Sequence, residues 1–231
     1  RYIEPTLDVP VSDDDPAMVN DVDLMLFDKV IAFDHYKNKI YLIANIGTED
    51  LERNYNKAEL ELKALADLVL HGKEADVPKG LLQSDFTSEF TKEEFEAVVT
   101  KTQHYIKEGD IFQAVVSNRR EAKFDGSLLN AYRVLRTINP SPYMFYLSGG
   151  DVEMTGASPE TLVKLTDGTL NTFPIAGTMP RGKSEAEDLA IEKKLINDEK
   201  ELAEHNMLVD LGRNDLGKIS KFGSVKVEAL H

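Results

Sequence analysis

The most informative stretch for the architecture of this chain is Tyr143-Met-Phe-Tyr-Leu-Ser-Gly-Gly-Asp-Val-Glu-Met-Thr-Gly156. It contains two runs of β-favouring residues, Tyr143–Leu147 and Val152–Gly156, on either side of a polar, glycine-containing connection, which predicts two consecutive strands. The residues before it, Leu128–Ile138, predict a helix that Asn139-Pro140 ends, because a proline disfavours the helical conformation of the residue before it. Two more strands are predicted after it, at Leu162–Leu165 and near Leu170–Ile175.

The flanking sequence continues this alternation of strand runs and helices. Thr91-Lys-Glu-Glu94 resembles a capping box, which predicts the start of a helix that ends near Gly109. Residues 1–23 are rich in Asp and Pro and predict a loop or an edge segment. Further helices are predicted at 54–70, 184–196 and 198–211, and further strands at 30–35, 40–45, 111–118, 121–124 and from 225. Because the strands come in runs with helices between the runs, we predict an α+β fold with mainly antiparallel β-sheets packed together and helices on the outside.

The composition of the chain argues against several classes of function. With a formal net charge of −14, the chain is not expected to bind nucleic acid, because that binding depends on Lys and Arg neutralising phosphates. No apolar run approaches the roughly 18 residues that span a bilayer, so we expect no membrane partner. The sequence contains no Cys, which leaves no disulfide framework and no thiolate metal site. We predict a cytoplasmic protein.

Five short stretches resemble the chorismate-utilising enzymes, and most closely the large subunit (component I) of anthranilate synthase. They are, in the family's order, Gly109–Asn118, Asn139–Phe145, Gly156–Glu160, Pro174–Gly182 and Glu204–Gly217. Each alone is short, but five in the same order make the resemblance specific. It implies that residues 91–231 are the first part of the chorismate-binding domain, and that residues 1–90, which match more loosely, belong to an N-terminal β-rich region.

The resemblance implies a reaction and a catalytic residue. Anthranilate synthase adds ammonia, delivered from glutamine by an amidotransferase subunit, to C2 of chorismate, expels the C4 hydroxyl and eliminates pyruvate, a step of tryptophan biosynthesis. Hydroxide is a poor leaving group, so the reaction needs a general acid. We expect Glu160, which follows Ser158-Pro159 at the mouth of a predicted strand, to be that acid. The alternative is a solvated glutamate at the start of a strand.

The resemblance also implies a Mg²⁺ ion held by glutamates. Glu201 and Glu204 lie three residues apart on a predicted helix and therefore share a face. Two carboxylates suit Mg²⁺, which usually takes only one or two from the protein, and an acidic chain needs a cation to hold a substrate with two carboxylates. Glu201 has an alternative role as the N3 partner of a cap at Asp198. The neighbouring His205 is expected to be structural.

Substrate contacts are expected from two further motifs. Pro174-Ile-Ala-Gly-Thr178 resembles a loop that packs its backbone against the substrate ring, with Ala176, Gly177 and Thr178 in contact; a plain tight turn is the alternative. Gln113 is the other expected contact. Isochorismate-forming relatives carry Lys at that position, and aminodeoxychorismate-forming relatives often carry Lys at the position of Ala176. Gln113 and Ala176 therefore favour anthranilate synthase over those two alternatives.

A feedback site for tryptophan is implied by Asn139-Pro-Ser-Pro-Tyr-Met-Phe145, in which Asn139, Pro140, Met144 and Phe145 are the expected contacts. The alternative is a helix end that leads into a core strand. The family's partner motif, Leu-Leu-Glu-Ser, is absent from this sequence.

The resemblance implies, finally, that further substrate contacts, a second metal-binding glutamate and the histidine linked to pyruvate elimination follow after this sequence. We therefore expect the chain alone to be inactive unless a second chain completes the site. A function of a different class stays open, in which the chain is a non-catalytic module that docks the amidotransferase or senses tryptophan.

Overall fold

The computed structural model describes residues 22–149 and 152–230. The loop predicted for residues 1–23 lies almost entirely outside these ranges. The chain divides into two compact units, Arg1–Asp76 and Val77–His231, which are described separately below. Within the described ranges, no helix is long and apolar enough to cross a membrane.

The described part of the first unit contains one hairpin and one helix. Strands β1 (Lys29–Asp34) and β2 (Lys39–Ala44) pair antiparallel. Their turn is stabilised by the carboxylate of Asp34, which accepts hydrogen bonds from the backbone N–H groups of Tyr36 and Lys37. Helix α1 (Leu51–His71) follows and ends at Gly72. The two strands and the helix predicted from the sequence are thereby confirmed.

The second unit contains four helices among its described residues. Helix α2 (Lys92–Glu108) starts at the predicted capping box, in which both reciprocal hydrogen bonds between Thr91 and Glu94 are present, and it ends at Gly109 in the left-handed conformation (φ 83°). The other three helices are α3 (Leu129–Ile138), α4 (Glu185–Ile196) and α5 (Glu199–Gly217). They occur where the sequence predicts them, although α5 extends further than predicted.

All described strands of the second unit pair antiparallel, and each sheet has two strands. The longest is the hairpin of β7 (Tyr143–Gly149) and β8 (Val152–Ser158). The antiparallel strands and the surrounding helices confirm the α+β class. The shorter pairs are β3 (Leu81–Leu82) with β6 (Phe124–Asp125), β4 (Thr87–Ser88) with β5 (Arg120–Glu121), and β9 (Lys164–Thr166) with β10 (Thr169–Asn171).

Two predicted strands are wrong. Residues 111–118 and the segment from Val225 form no strand in the described structure. A β-favouring sequence becomes a strand only where another strand satisfies its backbone groups. Between Ile111 and Ser117, no backbone group is hydrogen-bonded to another described residue, and Asn118 bonds through its side chain to the backbone of Phe90 instead.

Helix α3 is held to the β7–β8 hairpin by a carboxylate. Leu128 occupies the cap position of α3 but has no side chain that can cap. Glu153 of β8 supplies the missing acceptor, because its Oε2 accepts a hydrogen bond from the backbone N–H of Leu128 at 2.6 Å. The other oxygen of the carboxylate, Oε1, accepts from the hydroxyl of Tyr146 at 2.7 Å. The hydroxyl of Ser127, a buried side chain, donates to the same carboxylate at 3.0 Å. Glu153 therefore fixes the start of α3 on the hairpin.

This network predicts a pH-dependent contribution to stability. The backbone N–H of Leu128, and then the hydroxyls of Tyr146 and Ser127, hold the pKa of Glu153 below its usual value. A carboxyl whose pKa is lower in the folded state stabilises the protein above its unfolded-state pKa, and this contribution disappears as the pH falls through the folded-state pKa. We expect Glu153→Gln to lower the unfolding midpoint in urea at pH 7, and the difference from the unsubstituted chain to shrink below pH 4.5, the ordinary value for glutamate.

The matched control is Glu192→Gln, which changes an exposed glutamate of α4 and should leave the midpoint unchanged at both pH values. An equal loss of stability at pH 7 and at low pH would show that the charge of Glu153 is not what holds α3.

Candidate active site

The loop Pro174–Thr178 lies between two of the predicted site glutamates. At one end, the backbone N–H of Ile175 donates to Oε1 of Glu160 at 3.3 Å. At the other end, Gly177 approaches the carboxylate of Glu201 so closely that a Cβ atom on Gly177 would lie 2.9 Å from its Oε2. The loop therefore lies close to both Glu160 and Glu201, although 40 residues of sequence separate them.

The position of Glu160 is fixed from both sides. It follows the end of β8 after Ser158-Pro159, and its side chain is exposed. The residue after it, Thr161, exchanges a 2.7 Å hydrogen bond between its hydroxyl and that of Tyr143 at the start of β7. Glu160 is thus held between the rigid hairpin and the loop, with its carboxyl group open to solvent and to a ligand.

Helix α5 carries the other two glutamates. Asp198 caps the helix by accepting from the backbone N–H groups of Lys200 and Glu201, both at 3.1 Å. The alternative predicted for Glu201, as the N3 partner of a cap at Asp198, holds for its backbone N–H, whereas the N–H of Asp198 donates to the carbonyl of Leu195 and no hydrogen bond returns from the Glu201 side chain to the cap. Glu201 is therefore free to face the loop. Glu204 follows three residues later, half-buried on the same face of the helix.

Two glycines allow α5 to lie alongside the chain that leads into the loop. A Cβ atom on Gly212 would lie 3.0 Å from Cγ2 of Thr172, just as one on Gly177 would meet Glu201. Residue 172 thus lies near residue 212, and residue 177 lies near residue 201. The two segments therefore run antiparallel over their shared length, which places Glu201 at the loop.

Gly177 is the position where the loop depends most on its residue type. Its φ is 79°, a conformation in which a residue with a Cβ costs about 1–2 kcal/mol. Gly168, in the β9–β10 turn, has a nearly identical φ of 78° but no atom within 4 Å of the position of a Cβ. The two glycines therefore separate the cost of backbone strain from the cost of contact with Glu201.

We expect Gly168→Ala to lower the free energy of unfolding by about 1–2 kcal/mol, and Gly177→Ala to lower it further because the new methyl group would also lie 3.1 Å from Cδ1 of Leu195 and 3.3 Å from Cβ of Glu201. Urea denaturation of both variants measures the difference. Equal losses would contradict the close approach of Gly177 to Glu201.

The charge at the site is predominantly negative. Glu201 accepts a hydrogen bond from the side chain of Lys200 at 3.2 Å. That hydrogen bond and the charge of Glu201, with smaller contributions from Glu204 and Asp198, raise the pKa of Lys200 above its usual value. One lysine thus faces several carboxylates, and an anionic substrate would need a further positive charge to bind here.

The donor set of α5 fits a magnesium ion. Glu201 and Glu204 offer carboxylate oxygens on one helix face, and hard oxygen ligands are what Mg²⁺ prefers. Oε1 of Glu201 is bonded to Lys200, whereas Oε2 faces Gly177. The described residues hold no group of three or more His, Asp or Glu side chains arranged for a metal. Glu201 and Glu204 are the two carboxylates that would hold the ion on this face of α5.

The remaining predicted substrate contacts lie in two separate segments of the chain. Ala176 and Thr178 belong to the loop itself, with Ala176 half-buried and Thr178 exposed. Gln113 is exposed in the irregular segment after α2, and among the described residues no hydrogen bond connects it to the loop or to Glu160. His205 contacts the backbone carbonyl of Leu230 at 2.6 Å, which agrees with a structural role.

The four predicted tryptophan contacts lie between the end of α3 and the first half of β7. Asn139 occupies the position after the last residue of α3, where its N–H donates to the carbonyl of Leu135. Met144 and Phe145 are consecutive in β7, so their side chains point to opposite faces. Phe145 lies over Gly156, on the face opposite to Tyr146, whose ring is 6.1 Å from that of Tyr132 of α3.

Sequence reasoning missed the residue that holds the chain just after the loop. Asp188 of α4 accepts from the backbone N–H of Gly182 at 2.8 Å and from Nε of Arg181 at 3.0 Å. These hydrogen bonds, that of Gly182 first, hold the pKa of Asp188 below its usual value. The predicted helix start at Ser184 was the available signal, because it places Asp188 in the first turn, directly after Pro180-Arg-Gly182.

The sequence profile of the chorismate binding enzymes matches residues 2–231, and the chain therefore belongs to this family. Among curated proteins, it is 42% identical over 238 residues to anthranilate synthase component 1 of Acetivibrio thermocellus, covering 100% of this chain and 48% of that protein. It is 43% identical to the Aquifex aeolicus protein of the same name, covering 99% of this chain and 46% of that protein.

A solved structure shows the same architecture. The structure resembles crystalline anthranilate synthase component I from Streptococcus pneumoniae TIGR4 with a TM-score of 0.73 and 37% sequence identity, over 87% of this chain and 44% of that chain. The chain thus spans about half the length of the relatives that it matches.

Proposed function

We propose that this chain supplies part of the active site of an anthranilate synthase component I, which converts chorismate and ammonia to anthranilate and pyruvate. The observation that carries the proposal is the loop Pro174–Thr178, which contacts Glu160 through the N–H of Ile175 and approaches Glu201 through Gly177. A general acid and a pair of metal-binding carboxylates on either side of a backbone loop are the groups that this reaction requires.

Glu160 acts as the general acid. As the nitrogen of ammonia bonds to C2 of chorismate, both ring double bonds shift, from C1–C2 to C1–C6 and from C5–C6 to C4–C5, and the bond from C4 to its hydroxyl oxygen breaks. A proton from the Glu160 carboxyl group leaves with that oxygen as water, which removes the need to expel hydroxide. Aromatisation follows when the proton on C2 is removed and the enolpyruvyl group is lost as pyruvate. The N–H of Ile175 and the Tyr143–Thr161 hydrogen bond orient Glu160 for its step.

Glu201 and Glu204 would hold Mg²⁺, which supplies the positive charge that a carboxylate of the substrate needs at this acidic site. Gly177 brings the backbone of the loop within reach of the bound ring, and Thr178 offers a hydroxyl. Lys200 keeps Glu201 in place through their 3.2 Å hydrogen bond.

The choice of ammonia as the nucleophile follows from two neutral positions. Ammonia carries a lone pair and needs no base, so a neutral Gln113 is sufficient, and Ala176 leaves no side-chain amine to attack the ring. These residues distinguish the proposed reaction from isochorismate and aminodeoxychorismate formation. The proposal also includes an amidotransferase subunit that supplies the ammonia and a cytoplasmic location. It includes, in addition, inhibition by tryptophan through Asn139, Pro140, Met144 and Phe145.

The test uses a hybrid enzyme in which this chain replaces the region that it matches in the Aquifex aeolicus relative. With chorismate, Mg²⁺ and an ammonium salt, chromatography of the products should show anthranilate and pyruvate in equal amounts. Isochorismate or aminodeoxychorismate as the main product would replace the proposed reaction with one of the alternatives. A folded hybrid enzyme without any product would favour the non-catalytic module.

A further inference from the structure

The chain that leaves the loop Pro174–Thr178 is folded back onto helix α4. A Cβ atom on Gly177 would lie 3.1 Å from Cδ1 of Leu195, near the end of α4. A Cβ atom on Gly182 would lie 2.8 Å from Cα of Asp188, in the first turn of the same helix. The chain between the two glycines therefore runs antiparallel to α4 and is held at both ends of that helix.

The carboxylate of Asp188 makes the second of these contacts. Its Oδ1 accepts from the backbone N–H of Gly182 at 2.8 Å and from Nε of Arg181 at 3.0 Å, and its Oδ2 forms an ion pair with the guanidinium of Arg181. The Arg181 side chain is 89% exposed, whereas that of Asp188 is 27% exposed. An exposed ion pair contributes little, but a hydrogen bond from a backbone N–H to a carboxylate is among the stronger kinds. The contact with Gly182 is therefore the one that holds the chain.

The start of α4 presents this carboxylate from a fixed position. The hydroxyl oxygen of Ser184 accepts from the backbone N–H of Glu187 at 3.3 Å, and Oε2 of Glu187 accepts from the backbone N–H of Lys183 at 2.8 Å. Because these side chains satisfy backbone donors at the helix start, the first turn keeps its geometry. Asp188 thus offers Gly182 an acceptor that does not have to be ordered first.

We infer that Asp188 is a positioning residue for substrate binding, because its hydrogen bond with Gly182 fixes the end of the loop that faces the substrate. The inference rests on the proposed function. Only three residues separate Thr178 from Gly182, and one of them is Pro180, whose φ is restricted. A displacement of Gly182 is therefore passed on to Thr178. Glu160 is held at the other end of the loop and keeps its place.

The first experiment measures steady-state kinetics of the hybrid enzyme. Asp188→Ala should raise KM for chorismate by about tenfold, the cost of one hydrogen bond to a charged acceptor. The value of kcat per folded molecule should change little, because the ring contacts the loop in both the ground state and the transition state. Asp188→Asn keeps an oxygen that can accept from Gly182 and should restore KM. The control is Glu185→Ala, at an exposed glutamate in the same first turn, which should leave KM unchanged.

The second experiment needs no substrate and uses this chain itself. Trypsin cleaves after arginine, and the peptide bond between Arg181 and Gly182 contains the N–H that Asp188 accepts. Cleavage at a held segment requires local opening, so Asp188→Ala should be cut there faster than the unsubstituted chain, and Glu185→Ala should not. Mass spectrometry of the fragments over time gives the rate at this bond.

Four results would overturn the inference. They are an unchanged KM in Asp188→Ala, a lower kcat without a change in KM, an equal KM in Asp188→Ala and Asp188→Asn, and unchanged trypsin cleavage after Arg181. A lower kcat alone would indicate only a smaller folded fraction, and equal KM values would show that the hydrogen bond with Gly182 does not position the loop. A failure of the proposed function is distinguishable, because the unsubstituted hybrid would then form no anthranilate, and the cleavage rates would still test the contact.

Discussion

In the hybrid enzyme, Glu160→Gln is expected to lower the rate of anthranilate formation from ammonia by about 10²–10⁴-fold, the usual contribution of general acid catalysis. Glutamine keeps the size of the side chain and can still accept from the N–H of Ile175, but it has no transferable proton. The Michaelis constant for chorismate should change little, since the lost interaction belongs to the transition state. Steady-state kinetics at saturating Mg²⁺ measure both quantities.

The control for this substitution is again Glu192→Gln, at an exposed glutamate of α4, which should leave the rate unchanged. A glutamate with a purely structural role predicts the opposite pattern, namely a lower melting temperature with normal turnover per folded molecule. Near-normal turnover of the Glu160→Gln hybrid would remove Glu160 from the mechanism and leave the general acid to be found elsewhere.

The second large effect is expected at Glu204. If its carboxylate binds Mg²⁺, Glu204→Gln should raise the Mg²⁺ concentration that gives half-maximal activity of the hybrid enzyme by more than about 100-fold. A lost ligand should cost more than a lost group that only orients a ligand, and such groups already contribute about 10–100-fold in metal affinity. Isothermal titration calorimetry with Mg²⁺ provides a measurement that does not require turnover. Glu199→Gln is the matched control, since Glu199 is an exposed glutamate in the first turn of the same helix.

For this chain by itself, weak Mg²⁺ binding is expected. Mg²⁺ keeps most of its waters and gives them up reluctantly, and Glu201 shares its carboxylate with Lys200. A micromolar dissociation constant for the chain alone, abolished by Glu204→Gln, would show that a complete site already exists here. An unchanged Mg²⁺ requirement of the Glu204→Gln hybrid would contradict the assignment of Glu204.

Local chemistry made parts of the fold predictable. The capping box of Thr91 and Glu94, the left-handed Gly109, and the caps Ser184 and Asp198 lie within a few residues of the helices they begin or end. Their hydrogen bonds are satisfied within the segment, so the sequence alone contains the information. The β7–β8 hairpin was predictable for the same reason, because its two strands are neighbours in the chain.

Interactions between distant segments were not predictable in the same way. Residues 111–117 have a strand-like composition, but whether they form a strand depends on a partner that their own sequence does not reveal. The start of α3 depends on Glu153, 25 residues away, which no local pattern identifies as a cap. Conversely, the sequence offered a capping role for Glu201, and only the contact with Gly177 shows that the Glu201 carboxylate lies against the loop.

The residues of the candidate site were selected by resemblance, and the structure adds how they are arranged. Nothing in the sequence around Glu160 or around Glu201 indicates that one short loop connects them. That arrangement arises because α5 runs antiparallel to residues 172–177. Gly177 in that segment and Gly212 in α5 allow the two to pack closely. The joint position of the two glutamates on this loop is the central claim of the proposed mechanism.

A crystal structure of the Glu160→Gln hybrid enzyme with chorismate and Mg²⁺ tests that claim most directly. It should place the C4 hydroxyl oxygen of the substrate about 2.6–3.2 Å from the side-chain amide at position 160, within hydrogen-bond reach, with the ring against the loop Pro174–Thr178. It should also place the metal on Glu201, Glu204 or both. Chorismate bound with its C4 hydroxyl away from position 160, or a metal away from α5, would contradict the account.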